Sequence, residues 1–149
     1  MKKLNYLLSF LIGIWLLGIT ACGGGGNNNP PPSDPQVEVK AKLTSGTWNL
    51  QSATRDNIDI SSDFNGFTIK FASTTYTVQN GGTALSSSGS WAFDGSSTTT
   101  IIFDGVLTVT LAFSNNDTNL QLRFTIPTTE YNLGRIETLQ GNYVFNLAK

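Results

Sequence analysis

The stretch LTVTLAFSNNDTNLQLRFTI, residues 107–126, carries the clearest strand pattern of the sequence. Leu107, Val109, Leu111 and Phe113 alternate with Thr108, Thr110 and Ala112. Beyond the Asn/Asp run, Leu120, Leu122, Phe124 and Ile126 alternate with Gln121, Arg123 and Thr125. Successive side chains of a strand point to opposite faces, so the pattern predicts two strands, each with one apolar face. Pairing Phe113 with Leu120 leaves Asn116-Asp117 as a two-residue loop, built from the residue types that tolerate positive φ. Pattern and turn chemistry agree on one antiparallel hairpin.

The same alternation recurs on either side of this hairpin. Turn dipeptides stand at Asn65-Gly66, Asn80-Gly81, Asp94-Gly95 and Asp104-Gly105. Between them lie segments rich in β-branched and aromatic residues, and no helix-period pattern of useful length. Eight strands are predicted, near 47–54, 67–73, 75–80, 88–94, 98–103, 107–114, 119–127 and 142–148. Their inward set begins with Trp48, Leu50, Phe67, Ile69, Phe71, Tyr76 and Val78, and continues with Trp91, Phe93, Ile101 and Phe103. Tyr143, Phe145 and Leu147 close it. Matching Ile101 with Val109 or Leu107 requires an odd-length loop around Asp104-Gly105, so three residues are predicted there, with Gly105 at positive φ. Short hairpin connections favour a meander, and closing a meander removes its exposed edges. The expectation is an all-β domain, a small eight-stranded antiparallel up-and-down barrel over residues 43–149. The stretch 128–141 yields no assignment.

Residues 1–21 read as a secretory signal: Lys2 and Lys3, a mostly apolar run from Leu4 to Ile19, then small residues. The ending Ile19-Thr20-Ala21-Cys22 resembles the lipobox of bacterial lipoproteins, with Ile in place of the usual leading Leu. That resemblance implies that Cys22, the only cysteine, carries fatty acyl chains of the palmitate type. Two or more such chains give stable membrane anchoring. Gly23, where inner-membrane retention would favour Asp, implies the outer membrane by the same resemblance. With no acidic export cluster after the cysteine, a periplasm-facing domain is expected. Residues 22–42 then read as the lipidated Cys and a tether: four glycines, three asparagines and three prolines, followed by a polar, mixed-charge SDPQVEVKAK. Such composition cannot bury enough surface to offset its ordering entropy.

Within 43–149, Leu43-x-x-Gly46-x-Trp48-x-Leu50 resembles the opening strand of the lipocalin and calycin group. It is particularly similar to lipocalin-like domains of small bacterial lipoproteins, notably of Bacteroidetes. Phe67-x-Ile69-x-Phe71, Gly89-Ser90-Trp91-x-Phe93 and the closing Gly141-x-Tyr143-x-Phe145-x-Leu147 fit the same group. The resemblance implies that Gly46 and Trp48 are structural and that a late Arg packs over Trp48. Arg135 is the candidate for that role. The META-type lipoprotein domain opens similarly but carries a Gly-Cys-Asn element missing here. Lysozyme-inhibitor lipoproteins rely on cysteines that 43–149 lacks.

Chemistry is sparse. With no histidine, nucleophile-plus-His catalysis is excluded. A Ser-Lys pair needs a buried lysine, and residues 43–149 offer only Lys70, on the outer face, and the terminal Lys149. Asp94, Asp104 and Asp117 occupy turns, where Asp has a backbone role. Asp56, Asp59 and Asp63 share a loop but lack the ordered spacing of a calcium loop, so it reads as a solvated acidic loop. The reading is therefore no enzyme, no cofactor and no metal site. A net charge of −1 gives no electrostatic reason to expect nucleic acid. Two functions remain open. One is a membrane-anchored domain binding a small apolar or amphiphilic ligand, with Tyr76, Trp91 and Phe93 as expected contacts. The other is an accessory lipoprotein whose surface engages an envelope protein or a glycan.

Overall fold

In the computed structural model, the described residues are 34–127 and 139–149. They belong to one compact unit, Ser33–Lys149. The signal, Cys22 and Arg135 lie outside the described residues.

A helix, α1 (Pro35–Thr44), precedes nine strands. These are β1 (Thr47–Arg55), β2 (Ile58–Asp59), β3 (Thr68–Phe71), β4 (Thr75–Gln79) and β5 (Ser88–Phe93), then β6 (Thr100–Phe103), β7 (Leu107–Ser114), β8 (Asn119–Ile126) and β9 (Gly141–Ala148). Every pairing is antiparallel, each of β3 to β8 pairs with its sequence neighbour, and β1 pairs with both β3 and β9. The eight long strands therefore form the expected closed up-and-down barrel. The short β2 is a ninth strand that folds back on β1, with Thr54 opposite Asp59.

The hairpin registers follow side-chain parity. Phe113 faces Leu120, and Asn116 and Asp117 take φ of 52° and 63° in a two-residue turn closed by Thr118 N–H on Asn115 O at 3.1 Å. Ile101 faces Val109 and Phe103 faces Leu107, so residues 104–106 form the three-residue loop, with Gly105 at φ 73°. Inward side chains build one core containing Trp48, Ile69, Ile101, Val109, Leu122 and Phe145, all fully buried. Each such side chain contributes roughly 1.5–3 kcal/mol on burial. Among the described residues no charged side chain is buried, which spares the barrel the cost of desolvating an ion.

The helix is a departure from the sequence reading, which assigned residues through 42 to the tether. Val37, Val39, Ala41 and Leu43 alternate at a period of two and disguise it. The start signal is nonetheless present. Asp34 caps α1 by accepting from Gln36 N–H at 2.9 Å, and Pro35 takes the first turn, where no donor is lost. Gln36, Val39, Lys40 and Leu43 form the less exposed stripe, at helical spacing. Gln36 donates from Nε2 to Gly95 O and Ser97 O, both at 2.8 Å, and Lys42 pairs with Asp117 at 3.1 Å. The helix thus lies across the barrel end that carries residues 72–74, 94–99 and 115–118. This end is the helix pole. The connections 56–67, 80–87 and 104–106 lie at the other end.

Candidate functional site

The helix pole is closed. Leu43 and Trp48 are fully buried, and the Trp48 indole N–H donates to Leu43 O at 3.0 Å, satisfying a last-turn carbonyl of α1. Phe113 packs on Trp48 with ring centroids 6.0 Å apart. The Lys149 ammonium stands 4.5 Å from the Trp48 ring centroid and donates to Ser45 Oγ at 2.6 Å. Among the described residues Lys149 supplies a cation over the tryptophan of the Gly46-x-Trp48 motif. Gly46 sits beneath the same lysine, whose Cδ would lie 3.7 Å from a Cβ placed there.

The residues expected as ligand contacts belong to an aromatic cluster in the barrel wall. Tyr76 stacks on Phe103 at 4.4 Å, Trp91 meets Phe71 edge-on at 5.8 Å, and Phe93 packs on Trp91 at 5.4 Å. Their polar atoms are already committed. Trp91 Nε1–H donates to Ala72 O at 3.0 Å, and Tyr76 O–H donates to Asp104 Oδ2 at 2.7 Å. Asp104 also accepts from Ser90 N–H at 2.7 Å. Burial, and then this hydrogen bond to Asp104, push the Tyr76 hydroxyl up to about 12. The same bond, helped by Ser90 N–H, holds the Asp104 carboxyl below its ordinary range. Gly89 is required beneath this pair, because a Cβ there would overlap the Asp104 carboxylate.

A cavity of about 330 Å³ opens at the pole opposite the helix. Its floor is Phe64, Ala84 and Tyr143, all buried. Ile60, Arg55 and Leu139 form half-buried walls, and Asp63, Gly82 and Thr83 stand exposed at the mouth. Each piece has a local cause. A β-bulge between Leu50 and Ser52 shifts the parity of β1, so Ala53 is buried and Arg55, two residues on, turns to the cavity side. The 3₁₀ turn Ser61–Phe64 is held by Ser61, whose Oγ accepts from Ala53 N–H at 3.0 Å, and delivers Phe64 to the barrel end. Its ring meets Phe145 at 4.8 Å and Phe67 at 6.3 Å. Gly82, at φ 58°, lets the 80–87 loop approach the Phe64 ring, which would lie 3.4 Å from a Cβ there. Asn80 Nδ2 donates to Asn65 O and Gly66 O, both at 3.2 Å, and ties that loop to the neighbouring 56–67 connection. Tyr143 stacks flat on Phe124 at 5.1 Å and donates its hydroxyl to Leu139 O at 2.6 Å.

Neither Tyr76, Trp91 nor Phe93 borders this cavity. The three loop aspartates do not converge. Asp56 accepts from Asn142 N–H at 2.9 Å and Asn142 Nδ2 at 3.0 Å. Asp59 accepts from Ser61 Oγ at 2.6 Å and N–H at 2.8 Å, which lowers its pKa, and Asp63 stands at the cavity mouth. No group of three or more metal-ligating side chains is assembled among the described residues. None of their helices is long and apolar enough to cross a membrane. No family model, curated protein or solved structure matches the chain.

Proposed function

We propose that the protein is a non-enzymatic envelope lipoprotein, held at the outer membrane through acylated Cys22 and facing the periplasm, whose lipocalin-like barrel binds a compact amphiphile. The observation that carries the binding role is the cavity over Phe64 and Tyr143, with an apolar floor and the polar groups of Arg55, Asp63 and Thr83 around it. Ligand sites pair apolar surface with a few placed polar groups, and here the polar share of the lining is the larger, which suits an amphiphile better than a wholly apolar ligand. Its 330 Å³ stands at the small end of such sites. At about 30 Å³ per water-sized group, it holds roughly a dozen non-hydrogen atoms. A long acyl chain is a poor fit, because the space beyond the floor is filled by Phe67, Phe124 and Phe145.

Native mass spectrometry of protein purified from its own envelope, beside a Thr83→Trp variant, tests the reading. The expected result is a co-purifying small molecule in the parent and its loss in the variant. A mass equal to the acylated chain alone in both, with no uptake of added 4-phenylbutyrate, favours the accessory role through the outer surface.

A further inference from the structure

We infer that the anchored domain presents its cavity away from the bilayer, so that the ligand arrives from the aqueous side and not from the leaflet that holds the acyl chains. The inference rests on the proposed acylation of Cys22 and on two independent features of the barrel. The first is connectivity. The chain coming from Cys22 enters the domain at Asp34, where α1 begins, and α1 crosses the helix pole through Gln36 and Lys42. The cavity lies at the opposite pole, beyond the full length of β1 and β9. Eight-residue strands such as β7 to β9 measure about 26 Å along their axes. The twelve peptide links from Cys22 to Asp34 reach at most about 43 Å when fully extended. Turning the cavity onto the bilayer would require this link to run back along the barrel wall and use most of that reach. Holding it so would cost chain entropy that the upright orientation does not.

The second feature is charge. Among the described residues, the cavity pole carries Asp56, Asp59, Asp63 and Asp104 against the single guanidinium of Arg55. The helix pole balances Asp34, Glu38, Asp94 and Asp117 with Lys40, Lys42, Lys70 and Lys149. An anionic lipid surface repels the first pole and is indifferent to the second, within a Debye length of the headgroups. Both features favour the same orientation.

The full acylated protein, in vesicles of phosphatidylethanolamine and phosphatidylglycerol doped with a nickel-chelating lipid, tests this. A nitroxide is placed on Ser96→Cys at the helix pole or on Val106→Cys at the cavity pole, both exposed positions. Thioether-linked Cys22 does not take the label. The expected result is loss of spectral amplitude for the Ser96→Cys label with nickel lipid present, and no loss for the Val106→Cys label. Loss at Val106→Cys, or equal loss at both, overturns the inference. Flotation of the same vesicles keeps the premise separate: protein that stays in the dense fraction with a free thiol on Cys22 refutes the anchoring itself.

Discussion

The two poles of this barrel are made from similar residues and end differently. At the helix pole, Trp48, Phe113 and Leu43 are closed over by α1, and the indole N–H finds a helix carbonyl. At the other pole, Phe64, Tyr143 and Phe124 are equally aromatic, yet a bulge in β1 and a glycine-bearing loop leave a cavity above them. An aromatic inventory therefore does not distinguish a sealed end from an open one. What distinguishes them is the backbone at the rim: a capped helix on one side, irregular connections on the other.

Substitutions graded by expected effect probe that contrast. Trp48→Ala strikes the sealed pole hardest. Removing a fully buried ring and its hydrogen bond should cost about 3–5 kcal/mol, read as a fall in the urea midpoint without a change in slope. Next comes Gly89→Ala, which forces a Cβ into the Asp104 carboxylate and should cost roughly 1–3 kcal/mol. The Ser90 amide and Tyr76 hydroxyl should then lose their shared acceptor, seen as a shifted Tyr76 titration.

Tyr76→Phe should cost about 1–2 kcal/mol at neutral pH, because Asp104 loses a donor. Its pH signature is more specific. Tyr76 ionises near 12 in the fold against an ordinary value of 10.0, so its contribution is complete below pH 10 and is lost as pH rises toward 12. Asp104, lowered in the fold, contributes above the ordinary carboxylate range and loses that contribution in acid. In Tyr76→Phe the alkaline loss between about 10 and 12 should disappear from the stability profile. Lys149→Ala should cost only about 0.5–1 kcal/mol, the worth of an exposed cation over a ring. At the cavity pole, Thr83→Trp should leave the unfolding free energy within about 0.5 kcal/mol of the parent, while abolishing ligand uptake. A large loss of stability there would mean that the rim is as tightly packed as the helix pole.

Much of this architecture was legible in residues 107–126 and in the turns, because strand parity admits few registers. The odd-length loop at residues 104–106 followed from matching Ile101 to Val109, and the structure places both there. Two things escaped the pattern. The helix α1 did, since its apolar residues alternate and only the Asp34-Pro35 start betrays it. The cavity did too, since Arg55 reaches it through a bulge, which no strict alternation anticipates. Tyr76 and Trp91, with Phe93, stood as the expected contacts of a small apolar or amphiphilic ligand. Their N–H and O–H groups turn out to be bonded to Ala72 and Asp104, partners that only the barrel geometry brings near.

The most direct test of the proposed binding role is where a compact amphiphile binds. Amide chemical shifts of the protein titrated with 4-phenylbutyrate should move in a saturable way at Gly82, Thr83, Ala84 and Leu139. At about −0.3 kcal/mol per non-hydrogen atom the midpoint should be roughly millimolar. Trp91, Phe93 and the helix pole should stay still. Shifts centred on Tyr76, Trp91 and Phe93, or none at any concentration, would contradict it.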